Sequence, residues 1–395
     1  MKYNKWTLGL MAVGAVSFAS ATAARAVEAN MNRVETALSG ISISGCVDTS
    51  IEWGLEPSGS DYQSSPGNFI PFRGTTKQDG FNLNVVRLSI EKPLDESEYA
   101  SGFKVDLLFG PDAVAYNPSA NGNGTDEFGI KQAYVALRAP IGNGLVLKVG
   151  TFDTLIGYEV FDSASNPNFT RSWGYSIEPT SHTGILASYQ FSDAVSVSGG
   201  VANTLSTGIN ARYTQTDPVT GGLDTDRYWN KTWLGLISLT APESWGSLAG
   251  SALYVGAVTG FNGSDDQWNL YAGAVVNTPV EGLTAGIAYD YTDRVPAWIG
   301  TVSDTVDIST LGLYASYKAT DKLSFHARGE YGWFNALPGV DGCFYSLTGT
   351  VQYDLWANVV TRIELRYDSA EDLQAAGLIN EDESILLAAN IVYKF

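Results

Sequence analysis

Histidine and cysteine, the side chains that most often carry catalysis or bind metals, are scarce in this chain. The only two histidines, His182 and His326, lie far apart in the sequence. A hydrolytic triad needs a nucleophile, a histidine and an orienting acid in register, and a polar lining is the simpler interpretation of the strand around His326. The two cysteines, Cys46 and Cys343, are predicted to be free thiols. We therefore expect no catalytic residues, no metal site and no cofactor.

The remaining candidates are charged residues that could act electrostatically. Bases recur on the polar faces of predicted strands, and two acids, Glu159 and Asp162, lie in a long connection. Bases and acids that face each other across a narrow opening select ions and orient polar solutes. The predicted pore-lining or constriction residues are Arg87, Lys104, Asp106, Arg138, Lys148, Glu159, Asp162, Arg171, Arg328, Glu330, Arg362, Glu364 and Arg366. Those predicted to oppose the two acids are Arg87, Lys148, Arg362 and Arg366. Alternatively, charges pair along their own strand, as Lys104 with Asp106 or Arg328 with Glu330.

Alternation with a period of two explains how ordered strands can carry these charges. From Ile41 to Trp53, apolar residues share one face, and Cys46, Asp48 and Glu52 share the other. The same alternation recurs at 99–109, 310–318, 323–333, 345–353, 363–367 and 384–395, with aromatic residues near the ends of the apolar faces. A basic side chain facing lipid at mid-bilayer would cost about 2–4 kcal/mol. The pattern therefore predicts an all-β fold, a transmembrane antiparallel β-barrel with a polar lumen.

The connections between the predicted strands alternate between short and long. The long ones are 54–79, 110–127, 154–181, 205–230, 260–266, 293–306, 334–342 and 369–382. Short turns on one side and long loops on the other are typical of outer-membrane barrels. About sixteen strands are predicted, a number that leaves an aqueous channel. The alternation is weak in four of the regions counted as strands, namely 81–92, 195–204, 231–240 and 248–259.

The connection from Thr154 to Ser181 stands out by its length and its five aromatic residues. A connection this long is usually functional or disordered, and disordered segments are poor in aromatic residues. We therefore predict a packed loop that folds into the lumen and narrows it. A surface loop over the barrel mouth is the alternative.

The two ends of the chain indicate export. Residues 1–26 have the basic start, apolar run and small-residue cleavage site of a signal peptide, followed by a short periplasmic segment, 27–40, and the barrel, 41–395. Removal of the signal leaves 20 basic and 42 acidic residues, a net charge of −22, which argues against nucleic-acid binding. The last strand ends at Phe395, like the terminal strand that the outer-membrane assembly machinery recognises. We therefore expect localisation in the bacterial outer membrane.

Several short motifs between residues 80 and 200 resemble one known family. They are Glu91-Lys92-Pro93-Leu94, Lys131-Gln132-Ala133-Tyr134-Val135, Ala139-Pro140-Ile141-Gly142-Asn143-Gly144-Leu145, Lys148-Val149-Gly150, Gly157-Tyr158-Glu159-Val160-Phe161-Asp162, Asn166-Pro167-Asn168-Phe169-Thr170-Arg171-Ser172 and His182-Thr183-Gly184. In these motifs the chain resembles the OmpL-like family of β-barrel porins. Family members often carry an acid where Lys131 stands, so a charge role there stays open. The resemblance implies an outer-membrane porin, and similar porins are trimers.

The expected function is passive diffusion of small hydrophilic solutes and ions through a water-filled channel in outer-membrane lipid. One alternative is a channel specific for sugars or organic anions, with Tyr134 and Tyr314 as a lumenal aromatic track. Others are a non-conducting structural or adhesive barrel and a hydrolase barrel that depends on His326. A plugged transporter is disfavoured because no globular plug precedes Ile41.

Overall fold

The computed structural model is a β-barrel of sixteen antiparallel strands. It describes residues 34–35, 40–56, 72, 77, 79–116, 127–205, 208–211, 215–216, 223–224, 230–261, 266–293, 307–337, 340–372 and 381–395. The strands are β1 (Ser42–Glu56), β2 (Gly80–Lys92), β3 (Ser101–Phe109), β4 (Phe128–Ala139), β5 (Leu145–Asp153), β6 (Ser181–Gln190), β7 (Val195–Ala202), β8 (Thr232–Thr240), β9 (Ala252–Phe261), β10 (Asp266–Asn277), β11 (Leu283–Thr292), β12 (Asp307–Lys318), β13 (Leu323–Leu337), β14 (Val340–Trp356), β15 (Val359–Ser369) and β16 (Glu383–Lys394).

The barrel is closed. Each strand pairs with the next along the chain, and Lys394 of β16 pairs with Cys46 of β1. Ala202 of β7 pairs with Thr232 of β8, so the sheet also continues across the long connection between them. Because no edge is left open, the sheet supplies the backbone hydrogen bonds that hydrocarbon cannot. The predicted count of about sixteen is confirmed, and the four weakly patterned regions form β2, β7, β8 and β9.

The two faces of the sheet differ in chemistry as the alternation predicts. On β15, Ile363 is 61% exposed, whereas Arg362 and Arg366 on the other face are 2% and 0% exposed. In a barrel the exposed face is the outside and the buried face is the lumen. The apolar residues therefore face lipid, and the charged residues meet one another and water.

Exposed aromatic side chains cluster at both ends of the barrel. At the end with the long connections these are Trp53, Phe81, Phe109, Trp233, Trp268, Tyr331, Trp333 and Tyr345. At the end with the short connections they are Tyr99, Phe191, Trp245, Tyr317, Phe325, Tyr353, Trp356 and Tyr393. With a rise near 3.4 Å per residue and a tilt near 40°, the stretch from Phe325 to Trp333 spans about 20 Å along the barrel axis. This height approaches the apolar band of an outer-membrane barrel, about 25 Å.

The connections alternate in length, with two corrections to the prediction. The sequence assigns 334–342 to a long loop, but β13 runs to Leu337 and β14 begins at Val340, and Phe334 pairs with Gly342. It also assigns 260–266 to a long loop, yet Phe261 pairs with Asp266. Glycine, proline and acidic residues signal turns locally, whereas cross-strand pairing extends these two hairpins beyond the point that the signals indicate.

At the amino-terminal end the structure describes little of the predicted leader. Residues 1–26, and most of 27–40, lie outside the described residues. Val34 and Glu35 pair with Ile43 and Ser42 at the start of β1. Cys46 and Cys343 are free thiols on β1 and β14. In the described ranges, no helix is long and apolar enough to span a bilayer.

The assignment of the two faces predicts opposite tolerance to charge on one strand. Ile287, at the centre of β11, is 42% exposed on the outside, whereas Thr284 points to the other face. We expect Ile287→Arg to destabilise the inserted barrel by about 2–4 kcal/mol. Thr284→Arg, which places the same charge in the lumen, should cost less than about 1 kcal/mol. Unfolding of both variants in urea in lipid vesicles measures the difference; equal losses would contradict the assignment.

Candidate functional site

The candidate site is the connection between β5 and β6, called segment 154–180. It contains a 3₁₀ turn, Ser163–Ser165, and a short helix, α1 (Trp173–Ile177). Ser172 caps α1 by accepting a hydrogen bond from the Tyr175 amide at 3.0 Å. Eight large hydrophobic residues of the segment are buried, namely Leu155, Ile156, Tyr158, Phe161, Phe169, Trp173, Tyr175 and Ile177. The segment is therefore packed on most sides, unlike a surface connection.

The first part of the segment packs on apolar residues of the barrel wall. Leu155, Ile156 and Tyr158 belong to one cluster with buried residues of β6 to β12. The Tyr158 ring stacks on Tyr314 of β12 at 4.0 Å. A Cβ at Gly286 of β11 would lie 2.0 Å from the Tyr158 hydroxyl oxygen. Glycine at this position therefore leaves the space that Tyr158 occupies.

Helix α1 rests against the wall formed by β10 to β12. Asn269 of β10 donates to the carbonyl of Ile177 at 2.8 Å. A Cβ at Gly174 would lie 2.5 Å from a carboxylate oxygen of Asp290 on β11. Burial, together with the neighbouring Asp290, raises the pKa of Glu178 well above its usual range. The raised pKa favours the protonated form of Glu178, which can donate a hydrogen bond to Asp290.

Arg328 of β13 is the centre of the charged side of the site. Its side chain is fully buried, and Nη1 donates to Glu159 Oε1 and to the Thr170 carbonyl, each at 2.8 Å. Its Nε lies 2.9 Å from Glu330 Oε2. Glu330 in turn accepts from the Trp173 amide at 2.6 Å. Arg328 therefore contacts one acid of the segment and one acid on its own strand.

Strand β15 binds the backbone of the segment with three consecutive inward residues. Arg362 Nη1 donates to the Ser163 carbonyl at 2.7 Å. Glu364 accepts from the amides of Phe169 and Thr170, at 2.5 and 2.9 Å. Arg366 donates to the Arg171 carbonyl and is paired with Asp368 at 2.8 Å. Arg362 and Arg366 thus contact carbonyl groups of the segment, whereas the sequence predicts that they oppose its acids.

Three further contacts join the segment to the strands around the closure of the barrel. Arg87 of β2 forms an ion pair with Asp162, as the sequence predicts. Ser163 donates to Asp48 of β1. Lys394 of β16 donates to the carbonyl of Ala164 at 3.0 Å.

Arg171 has a different place from the one predicted. Its guanidinium donates to backbone carbonyls within the segment, those of Val160 at 3.0 Å, Phe169 at 2.7 Å and Phe161. It also lies over the ring of Phe72 at 5.3 Å. Arg171 therefore holds the segment to itself.

The remaining predicted residues lie apart from the two acids. Lys104 is 3.8 Å from Asp106, which is the pairing along one strand. Arg138 donates to the Asp95 carbonyl at 3.1 Å, beside a short connection. Lys148, predicted to oppose the acids, lies over the ring of Tyr134 at 4.9 Å. These side chains point inward from β3, β4 and β5 but are not part of the contacts that hold the segment.

Several residues that hold the segment were not singled out by the sequence. Thr170 donates its hydroxyl to Glu364 at 2.6 Å, and Asn168 donates to Thr350 of β14 at 2.7 Å. The Trp173 indole donates to Asp368 at 3.0 Å. The sequence does indicate Asp368 as an inward residue, because it lies two residues after Arg366 and therefore on the same face of β15. No such sequence signal distinguishes Thr170 and Asn168, since short polar residues are common in any connection.

Parts of two other long connections cover the segment. Phe72 packs edge-on against Phe161, with ring centroids 5.1 Å apart. Lys77 pairs with Asp112 at 2.7 Å. Burial raises the pKa of Asp112 to about 6, although Lys77 opposes the shift. The pair ties the connection after β1 to the one after β3.

A closed sixteen-stranded barrel with an apolar outside, two aromatic belts and a charged interior is the architecture of a bacterial outer-membrane porin. A family model described as "Putative beta-barrel porin-2, OmpL-like" matches residues 40–395. The chain belongs to this porin family, and the resemblance seen in its motifs is confirmed. Among curated proteins, none matches the chain in sequence.

Solved structures share the fold at low sequence identity. The outer membrane channel DcaP of Acinetobacter baumannii is 10% identical, with a TM-score of 0.56, and the match covers 91% of this chain and 99% of that one. The anion-selective porin from Comamonas acidovorans is 14% identical, with a TM-score of 0.54 and coverage of 90% and 99%. OmpF of Salmonella typhi is 13% identical, with a TM-score of 0.57 and coverage of 90% and 97%. At these identities the likeness establishes the fold alone.

Proposed function

We propose that the protein is a general diffusion porin in which segment 154–180 crosses the lumen and sets the size limit for solutes. Small hydrophilic solutes and ions pass by passive diffusion, and no bond is made or broken. The observation that carries the proposal is the distribution of the segment's contacts. Its partners include Asn269 of β10, Tyr314 of β12, Arg328 of β13, Glu364 of β15 and Arg87 of β2.

These partners face the lumen from opposite parts of the wall. A loop over the barrel mouth would contact the ends of the strands and the neighbouring connections. Segment 154–180 instead contacts central residues of strands, such as Arg328 and Glu364, which lie near the middle of β13 and β15. A crossing at mid-height would narrow a sixteen-stranded channel where it is otherwise wide enough for water.

The charges around the segment favour weak rather than strong selectivity. Arg328 is balanced by Glu159 and Glu330, and Arg87 is balanced by Asp162. Paired charges present a smaller net field to a passing ion than a ring of one sign does. Solute size would then matter more than solute charge at this level of the channel.

The test is conduction by the refolded protein. In planar lipid bilayers we expect discrete stepwise increases in current, and in liposomes we expect faster swelling with a monosaccharide than with a tetrasaccharide. Detergent micelles without protein are the control. Membranes that carry the folded barrel and show no current steps would reject the proposal and favour a non-conducting structural barrel.

We also propose that residues 1–26 are removed on export and that three copies assemble in the membrane. The sequence of the leader supports the first, and amino-terminal sequencing of the mature protein checks it. A similar fold in an outer membrane protein of Vibrio cholerae is described as a trimer form, which supports the second. The mass of the detergent-solubilised complex checks the trimer.

A further inference from the structure

One inward lysine differs from the lysines and arginines of the wall that are paired with acids. Lys104 is 3.6 Å from Glu91, Lys131 is paired with Asp153, and Arg87 is paired with Asp162. For Lys148 of β5, by contrast, no carboxylate oxygen of the described residues lies within 4.0 Å of the ammonium nitrogen. Its nitrogen lies over the ring of Tyr134 on β4, 4.9 Å from the centroid. Lys148 therefore carries a positive charge that no acid in contact neutralises.

Small residues lie beside Lys148 on the neighbouring strands, together with the buried Leu186. Lys148 pairs with Ala136 on β4 and with Leu186 on β6. One step further along the strands, Tyr134 pairs with Gly150, and Gly150 pairs with Gly184. Ala136, Gly150 and Gly184 therefore fill little of the lumen beside Lys148, which is itself partly exposed.

Close contact with the backbone of the neighbouring strand keeps both glycine positions free of a side chain. A Cβ at Gly150 would lie 2.2 Å from the Ala133 carbonyl oxygen, and one at Gly184 would lie 2.1 Å from the Val201 carbonyl oxygen. Gly150 also has a φ of +136°, which side chains other than glycine rarely adopt. No larger side chain fits at either position unless the backbone of the sheet moves.

Lys104 adds a second positive charge on the other side of Tyr134. It sits directly across from Tyr134 in the pairing of β3 with β4. Cross-strand neighbours of this kind have Cβ atoms about 5 Å apart. The order across the wall is therefore Lys104, Tyr134 and, diagonally, Lys148, with the two glycines beside the last of these.

We propose that Lys148 is a binding subsite for small organic carboxylates that pass through the channel, with Tyr134 as its positioning residue. The inference rests on the proposed porin function and names the class of solute that its wall favours. The ammonium group has three N–H donors and no acceptor, so a carboxylate is the natural ligand. The face of the Tyr134 ring attracts the ammonium by a cation–π interaction and holds it beside the two glycines. Lys104 contributes a weaker attraction for a carboxylate, because Glu91 and Asp106 partly neutralise its charge.

The experiment measures ion preference and block by succinate in planar bilayers with the whole protein. In a potassium chloride gradient, Lys148→Gln should lower the chloride-to-potassium permeability ratio about two- to fourfold, the effect of one charge at about 5 Å in water with some salt screening. Succinate should reduce the current through the unmodified channel, and Lys148→Gln should raise the half-blocking concentration by a similar factor. Lys148→Arg should keep both the permeability ratio and the block by succinate. Tyr134→Leu should weaken the block while leaving the charge in place.

Lys322→Gln is the matched control, because Lys322 also lies over a tyrosine, Tyr353, at 5.8 Å, but on the outside of the barrel. It removes the same charge from a similar pair and should change neither the permeability ratio nor the block. If Lys148→Gln and Lys322→Gln behave alike in channels that conduct, the subsite is rejected and the porin function stands. If no variant and no unmodified protein conducts, the porin function itself fails.

Discussion

Deleting residues 166–171 is expected to raise the single-channel conductance about twofold or more, because it removes the part of the segment that reaches β14 and β15. Asn168 contacts Thr350, and the amides of Phe169 and Thr170 bind Glu364. Without these residues, the central part of the wall should face water. The same variant should let a tetrasaccharide into liposomes that the unmodified channel excludes.

The residues that remain can close the gap left by this deletion, although the hydrogen bonds from Arg171 to Val160 and Phe161 are lost. The Ser172 amide donates to Glu159 Oε2 at 2.8 Å, and Arg171 Nε donates to the Val160 carbonyl at 3.0 Å. The chain therefore leaves and returns at nearly the same place. The five residues 161–165 are enough to close this gap, since consecutive Cα atoms are about 3.8 Å apart.

A matched deletion of equal length is available at the opposite end of the barrel. Residues 243–248 form an exposed connection between β8 and β9. The Gly250 amide donates to the Ala241 carbonyl at 2.9 Å, so removal of 243–248 leaves Pro242 and Ala249 as a two-residue turn. This control should leave conductance and solute limit unchanged. Conductance that stays equal in both deletions would mean that segment 154–180 does not narrow the channel.

The sequence predicted the barrel well because the evidence for it is local. Alternation along each strand places Arg362, Glu364 and Arg366 on one face and Ile363 and Leu365 on the other, and nothing distant is needed to see this. The strand ends were less accurate at 334–342, where glycine and proline suggest a loop but pairing across the hairpin continues the strand.

The partners of the charges could not be predicted because they depend on contacts between residues far apart in the chain. Arg362 and Ser163 are separated by 199 positions, and Arg328 and Glu159 by 169. Sequence spacing does not indicate that Arg362 binds a carbonyl oxygen whereas Arg328 binds a carboxylate. Lys148 was assigned to the same ring of charges because its type and face match, but the structure places it over Tyr134 instead.

Arg328→Met should release segment 154–180 from the wall more effectively than any other single substitution. Arg328 is fully buried and neutralises two buried acids, Glu159 and Glu330. Removing one partner of a buried ion pair costs about 3–5 kcal/mol, because it leaves the other charge unpaired in a poorly hydrated site. Amide hydrogen exchange in residues 159–173 should accelerate by two or more orders of magnitude, as about 3 kcal/mol implies. The channel current should also become noisy.

Arg138→Met is the control for this substitution. Arg138 is also an inward-facing arginine, but it donates to the Asp95 carbonyl beside a short connection. The same change of side chain there should leave exchange in residues 159–173 unaltered. If the amides of residues 159–173 exchange at the same rate in the two variants, Arg328 does not hold the segment in place.

A double variant separates loss of the ion pair from loss of packing. Arg328→Met combined with Glu159→Gln removes one of the two carboxylates that Arg328→Met leaves unpaired. The glutamine can still accept the hydrogen bond from the Ser172 amide. If unpaired charge is the main cost, the double variant should protect residues 159–173 better than Arg328→Met alone, by a non-additive energy of about 0.5–3 kcal/mol. If packing or the bonds from Arg328 to the Thr170 and Arg171 carbonyls dominate, the second substitution should bring no recovery. Because the Glu330 charge is left with only a 4.0 Å contact to Arg366, recovery should be partial even when charge dominates.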